Sequence, residues 1–157
     1  MFRLPSWQVV RCALALALVV GLAGLGSARA AADLNPKAIT IQLPADIKWN
    51  KGRGSESATL VGDPTKPGLY IVLQKWLPHN NSRPHKHPND RYITVLSGTW
   101  WVNTGAKYDP AGFKPIPAGS FVVHTANEIH YDGARDEPAL LQIAGMGPDT
   151  NTPAEEK

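Results

Sequence analysis

The sequence predicts an all-β domain, a sandwich or closed barrel of about ten short strands. Three observations lead there. The 157 residues include 14 glycines and 14 prolines with no glycine period, so tight turns are frequent and collagen-like structure is excluded. Beyond residue 30, no stretch keeps an amphipathic helical period over three turns. Short runs rich in β-branched and aromatic residues recur instead, separated by turn-forming segments. Hydrophobic residues make up 43% of the chain and charged residues 18%, enough for a core, and the length suits one domain rather than two.

Met1–Ala30 reads as an address. It carries Arg3, Arg11 and Arg29 and no acidic residue, and Cys12–Leu25 is an unbroken apolar run. Gly26, Ser27 and the triplet Ala28-Arg29-Ala30 follow. A positive start, a short apolar stretch and an A-x-A end predict a secretory signal peptide over residues 1–30. The run is shorter than the ~20 residues needed to span a bilayer, so no membrane anchor is expected after cleavage. The expected location is periplasmic or secreted. Removing those three arginines leaves 13 Lys+Arg against 13 Asp+Glu, so the basic charge belongs to the leader and nucleic-acid binding is not expected. Cys12, the single cysteine, leaves with it, which excludes a disulfide, a thiolate nucleophile or a Cys-bound metal in the mature domain.

Along residues 31–147, the expected barrel domain, Ile39–Leu43 alternates apolar and polar and predicts a half-buried strand ended by Pro44. Ala45–Asn50 sets Ile47 and Trp49 on one face. Lys51–Ser57 reads as a loop, Ser57–Val61 as a strand, Gly62–Gly68 as a turn and Leu69–Leu77 as a long strand. Pro78–Pro84 is expected to be a loop and Arg83–Pro88 a short element. Arg91–Val102 is two strands joined at Ser97-Gly98. Phe113–Pro117, Ser120–Thr125, Ile129–Tyr131 and Ala139–Ala144 complete the set. From Pro148 the tail, residues 148–157, lacks large apolar side chains and is expected to be flexible.

All five histidines fall in this region: His79, His85, His87, His124 and His130. On a strand, His85 and His87 would project to one side with Cα atoms ~6.6 Å apart. Two imidazoles so placed can converge on one ion. There is no cysteine nucleophile, no glycine-rich phosphate loop and no evident Ser-His-Asp set. His79 sits in a turn and is expected to be solvated, whereas His124 either lines a cavity or sits on the surface. Trp100 and Trp101 are adjacent, so one faces inward and the other outward. Trp49, Trp76, Tyr92 and Phe121 are expected in the core or cavity wall.

Two segments resemble the paired motifs of the cupin superfamily, whose first pattern is G-x5-H-x-H-x3-E-x6-G. Here His79 stands for the opening glycine, His85 and His87 match, Arg91 stands for the glutamate and Gly98 matches. The second pattern, G-x5-P-x-G-x2-H-x3-N, finds Gly119 and His130, with Thr125, Asn127 and Ala134 replacing the other residues. The resemblance covers about Tyr70–Gly145 (with Trp49 to Gly98 also loosely similar to cupins fused to zinc-dependent anti-sigma factors). It implies a jelly-roll β-barrel and a mononuclear metal site held by His85, His87 and His130. The ion would be one divalent transition metal, Fe, Mn, Ni, Cu or Zn, since ligand type alone does not choose it.

The fourth ligand is missing, because Arg91 stays cationic and cannot ligate. Either Arg91 turns outward to Asp90, or it turns inward and clamps a substrate anion beside the metal. Asp90 replaces the glutamate only if the chain bulges. The implied activity is dioxygenase- or lyase-like chemistry on a small organic molecule; the alternative is a non-catalytic metal- or small-molecule-binding module. A barrel with structural duty alone is the third reading, and pairing into a homodimer is expected by analogy.

Overall fold

A computed structural model of the chain describes residues 34–157. The predicted signal peptide lies outside the described residues. The chain divides into two units, one ending at Ile41 and the other spanning Gln42–Lys157. In the first, the described residues form a turn: Asn35 Oδ1 accepts the Lys37 N–H, and the Asn35 carbonyl accepts the N–H groups of Ala38 and Ile39.

The second unit is all-β, with no helix among the described residues. In chain order it contains β1 (Asn50–Lys51), β2 (Ser55–Val61), β3 (Gly68–Trp76), β4 (Asn80–Asn81), β5 (His85–Lys86) and β6 (Arg91–Ser97). Then come β7 (Thr99–Thr104), β8 (Lys114–Pro117), β9 (Phe121–His124), β10 (His130–Ala134), β11 (Ala139–Gly147) and β12 (Thr152–Pro153). One sheet runs β1-β2-β3-β11-β6-β9; the other runs β12-β5-β10-β7-β8, with β4 also on β10. Every pairing is antiparallel.

Alternation along the strands decides what faces inward. Ile93 and Val95 of β6, and Ala139, Leu141 and Ile143 of β11, join Tyr70, Trp100 and Ala134 in one buried cluster. Each large apolar side chain so covered contributes roughly 1.5–3 kcal/mol relative to exposure. Trp100 is buried while its neighbour Trp101 turns out under the Arg135 guanidinium, 3.9 Å from the ring centroid. Gly98 makes the turn from β6 to β7 with φ +72°, and a Cβ there would meet the Pro138 carbonyl oxygen at 2.1 Å.

Four expectations change. Ile39–Leu43 and most of Ala45–Asn50 are not strands; only Asn50–Lys51 pairs, with β2. Alternation makes a segment able to pair, but a strand also needs a neighbour's backbone, and Pro44 interrupts the run. The loop expected over Pro78–Pro84 contains β4. Tyr92 and Phe121 are exposed, not in the core, because Ile93 and Val122 occupy the inward positions beside them. The tail expected to fray is instead bound to the sheet. β12 pairs with β5, the Ala154 N–H donates to the Pro84 carbonyl, and Arg83 forms an ion pair with Glu155. Polar and backbone contacts hold this segment, so its lack of apolar residues did not reveal them.

Candidate metal centre

β5 and β10 are neighbours, and their register sets His130 directly opposite His85. His87 lies two residues past His85, just beyond β5. The three imidazoles, from two distant stretches of sequence, therefore meet. Their closest ligand-capable atoms all lie within 4.8 Å of one another, and all three residues are buried. Ring centroids are separated by 5.0 Å for His85–His87, 4.6 Å for His85–His130 and 5.3 Å for His87–His130.

Hydrogen bonds fix the tautomers. His85 Nδ1 lies 2.8 Å from the Arg83 carbonyl oxygen and His130 Nδ1 lies 3.1 Å from that of Glu128. A carbonyl only accepts, so each Nδ1 carries the proton and donates it. His87 Nδ1 likewise donates, to the Thr150 carbonyl at 3.0 Å and to Asp149 Oδ1 at 2.9 Å. Each ring is left with an Nε2 lone pair, the arrangement found in metal-binding histidines whose other nitrogen is held by an oxygen. His130 Nε2 is buried with no hydrogen-bond partner. The donor set and this orphaned nitrogen fit a first-row transition ion.

Arg91 points inward. Its side chain is 14% exposed, and Nη1–H donates to His87 Nε2 at 2.5 Å. Asp90 is exposed and accepts the Ala126 N–H at 2.7 Å, so it neither pairs with Arg91 nor completes the ligand set. His79 is exposed, as expected, with φ 60°. His124, opposite Arg91 in the β6–β9 register, is buried against His130 with ring centroids 3.7 Å apart. Its Nδ1 has no partner. Burial pushes the imidazoles of His85, His124 and His130 below their ordinary range, keeping them neutral.

Two carboxylates were not singled out by sequence reasoning. Asp149, in the tail, accepts from His87 and from the Tyr70 hydroxyl at 3.0 Å, and faces Arg91 Nε at 3.7 Å. Burial pushes its carboxyl up, but the His87 hydrogen bond and the Arg91 charge outweigh this and hold it below the usual range. Asp132 of β10 is buried; its Oδ2 accepts from Trp100 Nε1 at 2.8 Å and Trp76 Nε1 at 3.2 Å, and its Oδ1 from Ser82 Oγ at 3.1 Å. Burial opposes its ionisation, yet charge on the neighbouring imidazoles where they protonate in acid, and on Arg91, brings it to a net lowered value. A cavity of about 250 Å³ adjoins the histidines, walled by His85, His87, Arg91, Asp132, Trp76 and Gln74 among others.

No family model and no curated protein sequence matches this chain. Solved structures do. The chain is similar to the polyketide cyclase RemF from Streptomyces resistomycificus, with a TM-score of 0.63 at 12% identity over 76% of this chain and 87% of that one. It is also similar to a Klebsiella pneumoniae protein with a double-stranded β-helix domain, with a TM-score of 0.57 at 16% identity over 74% of this chain and 97% of that one. For the DMSP lyase DddQ from Ruegeria pomeroyi the TM-score is 0.56 at 16% identity, over 71% and 64% of the two chains. The two antiparallel sheets and these likenesses define a protein of the cupin fold, the double-stranded β-helix. Within that fold this chain is a barrel with a buried three-histidine cluster.

Proposed function

We propose that this chain is an exported metal-dependent enzyme acting on a small organic molecule that carries a carboxylate. The observation behind this reading is the set of three buried imidazoles, each with Nδ1 held by an oxygen partner, whose ligand-capable atoms lie within 4.8 Å of one another. His85, His87 and His130 would hold one divalent transition ion. When bound, such an ion supplies Lewis-acid or oxygen-activating chemistry, which the dioxygenase- or lyase-like alternatives share. Two structural neighbours are described as a cyclase and a lyase, which supports a catalytic reading of the fold.

The chain's own residues supply the rest. Arg91 presents a planar guanidinium that matches a carboxylate in two parallel hydrogen bonds. Trp76 and Ile143 give the cavity apolar wall, and Gln74 and Ser55 offer polar contacts. Asp132 is the one carboxylate among the lining residues, and it is already paired with Trp100, Trp76 and Ser82.

Elemental analysis of purified protein reconstituted with Fe, Mn, Ni, Cu and Zn tests the metal, with about one ion per three-histidine site expected. No bound ion under any condition would end the proposal. An oxygen-uptake and turnover screen over small diketones, thiols and phenols bearing a carboxylate then separates enzyme from binder. One feature favours the second reading, a non-catalytic periplasmic binder. The fourth ligand position holds Arg91, so the protein places no carboxylate on the ion.

A further inference from the structure

The three imidazoles suit a metal ion in every respect but one, and the conflict falls on a single atom. His87 Nε2 has one lone pair, already accepting Arg91 Nη1–H at 2.5 Å. Its Nδ1 is committed to Thr150 and Asp149, so the ring cannot turn over without losing both oxygens. Arg91 stands where the family motif has a ligating glutamate. A permanent cation therefore occupies the place of an anionic ligand.

The surroundings offer that cation a second resting place. Arg91 Nε is buried with no hydrogen-bond partner, and it lies 3.7 Å from Asp149 Oδ2, just beyond hydrogen-bond range. A small rotation of the guanidinium toward Asp149 would satisfy Nε and release His87 Nε2. The terminal nitrogens would then face the cavity of about 250 Å³, where the remaining lining groups near it are neutral or already paired, as Asp132 is with two indoles and Ser82.

We infer that Arg91 is a built-in competitor for the metal site: it caps His87 Nε2 in the metal-free protein and must release it for three-histidine ligation. A small carboxylate that engages the released guanidinium stabilises the open arrangement and so tightens metal binding. Metal and organic carboxylate are thus taken up cooperatively, and by linkage each raises the affinity for the other by the same factor. This rests on the three-histidine reading above and adds to it the coupling and the residue that carries it.

The test is a titration of the purified protein with Co(II), followed by its visible absorption, with and without propionate, a weakly chelating carboxylate. In the wild type, propionate should tighten Co(II) binding by about tenfold, within the usual range of such couplings. Arg91→Met, which keeps the side-chain length without the charge, should bind Co(II) at least about tenfold more tightly without propionate and show no further gain with it. Equal or weaker Co(II) binding by Arg91→Met would overturn the inference while leaving the three-histidine site standing, and so would a wild type indifferent to propionate. The propionate arm needs no variant, so a folding defect in Arg91→Met would not spoil the test. Absence of Co(II) binding in both proteins would remove the three-histidine reading and the inference with it.

Discussion

Asp132 offers a sharp test of how the polar groups beside the histidines are held together. The residue is 8% exposed, and its carboxylate accepts three side-chain hydrogen bonds, from Trp100, Trp76 and Ser82. Asp132→Ala takes the acceptor from two indole N–H groups at once. A buried donor left without a partner costs about 1–3 kcal/mol. Trp100 is fully buried and should lie near the upper figure, whereas Trp76 is only partly buried and should lie near the lower one. The expected loss is thus about 3–4 kcal/mol, a large share of the roughly 5–15 kcal/mol that holds a domain folded.

Asp132→Asn behaves differently. The amide oxygen can accept from both indoles, and Nδ2–H can donate to Ser82 Oγ, one lone pair of which accepts the backbone N–H of residue 132 at 2.9 Å and leaves the other open. Only the strengthening due to charge is lost, so about 1 kcal/mol is expected. Urea unfolding followed by tryptophan fluorescence measures both, provided the slope m is unchanged. A cost below about 1 kcal/mol for Asp132→Ala would refute the view that this carboxylate satisfies the indoles. Equal costs for Ala and Asn would show that charge, not hydrogen-bond geometry, matters there.

Four further outcomes are expected. Replacing His85 and His130 together by Ala should abolish metal binding in a still-folded barrel; unchanged metal content by elemental analysis would show the ligands to be misassigned. Asp149→Asn should weaken metal binding by about 10–100-fold, since it removes the carboxylate that orients His87, and competition against a chromophoric chelator reads this directly. In metal-free protein, burial keeps His130 neutral down to about 4 and His124 to about 3, against an ordinary 6.5. The unfolded chain binds those protons first, so stability is complete above pH 6.5 and falls as pH drops, by up to about 1.4 kcal/mol per pH unit for each imidazole. A urea midpoint that stays flat from neutrality down to about pH 5 would contradict this. Gly98→Ala should cost about 2 kcal/mol or more, from the positive φ and the contact with Pro138 O, and a melting temperature within error of the wild type would exclude it.

Much of the site could be read from spacing. His85 and His87 alternate on an extended segment, and the two-motif resemblance brought His130 to them. Asp132 was also within reach: it stands two residues after His130, so on β10 both side chains project to one side. Parity was likewise available for Tyr92, whose neighbour Ile93 takes the inward position, but aromatic character outweighed it. Ile39–Leu43 shows the opposite limit, because its pattern says which face would be buried and cannot say whether a partner strand exists. Asp149 and Thr150 could not be read at all. A hydrophobic pattern marks core segments, and these two act through one carboxylate and one backbone carbonyl.

The local geometry explains what the tail contributes to the histidine cluster. His85 and His130 each donate Nδ1–H to the carbonyl two residues earlier, Arg83 for one and Glu128 for the other. An extended strand thereby orients its own histidine. For His87 the residue two positions back is His85 itself, at the start of β5, and the oxygens that hold its ring come from Thr150 and Asp149 instead. The third imidazole of the cluster is therefore oriented by chain some sixty residues away, delivered by the pairing of β12 with β5. A polar tail suits that task, since its role is to present acceptors rather than to fill a core. Removing it would strip His87 Nδ1 of both its oxygens while leaving His85 and His130 held by their own strands.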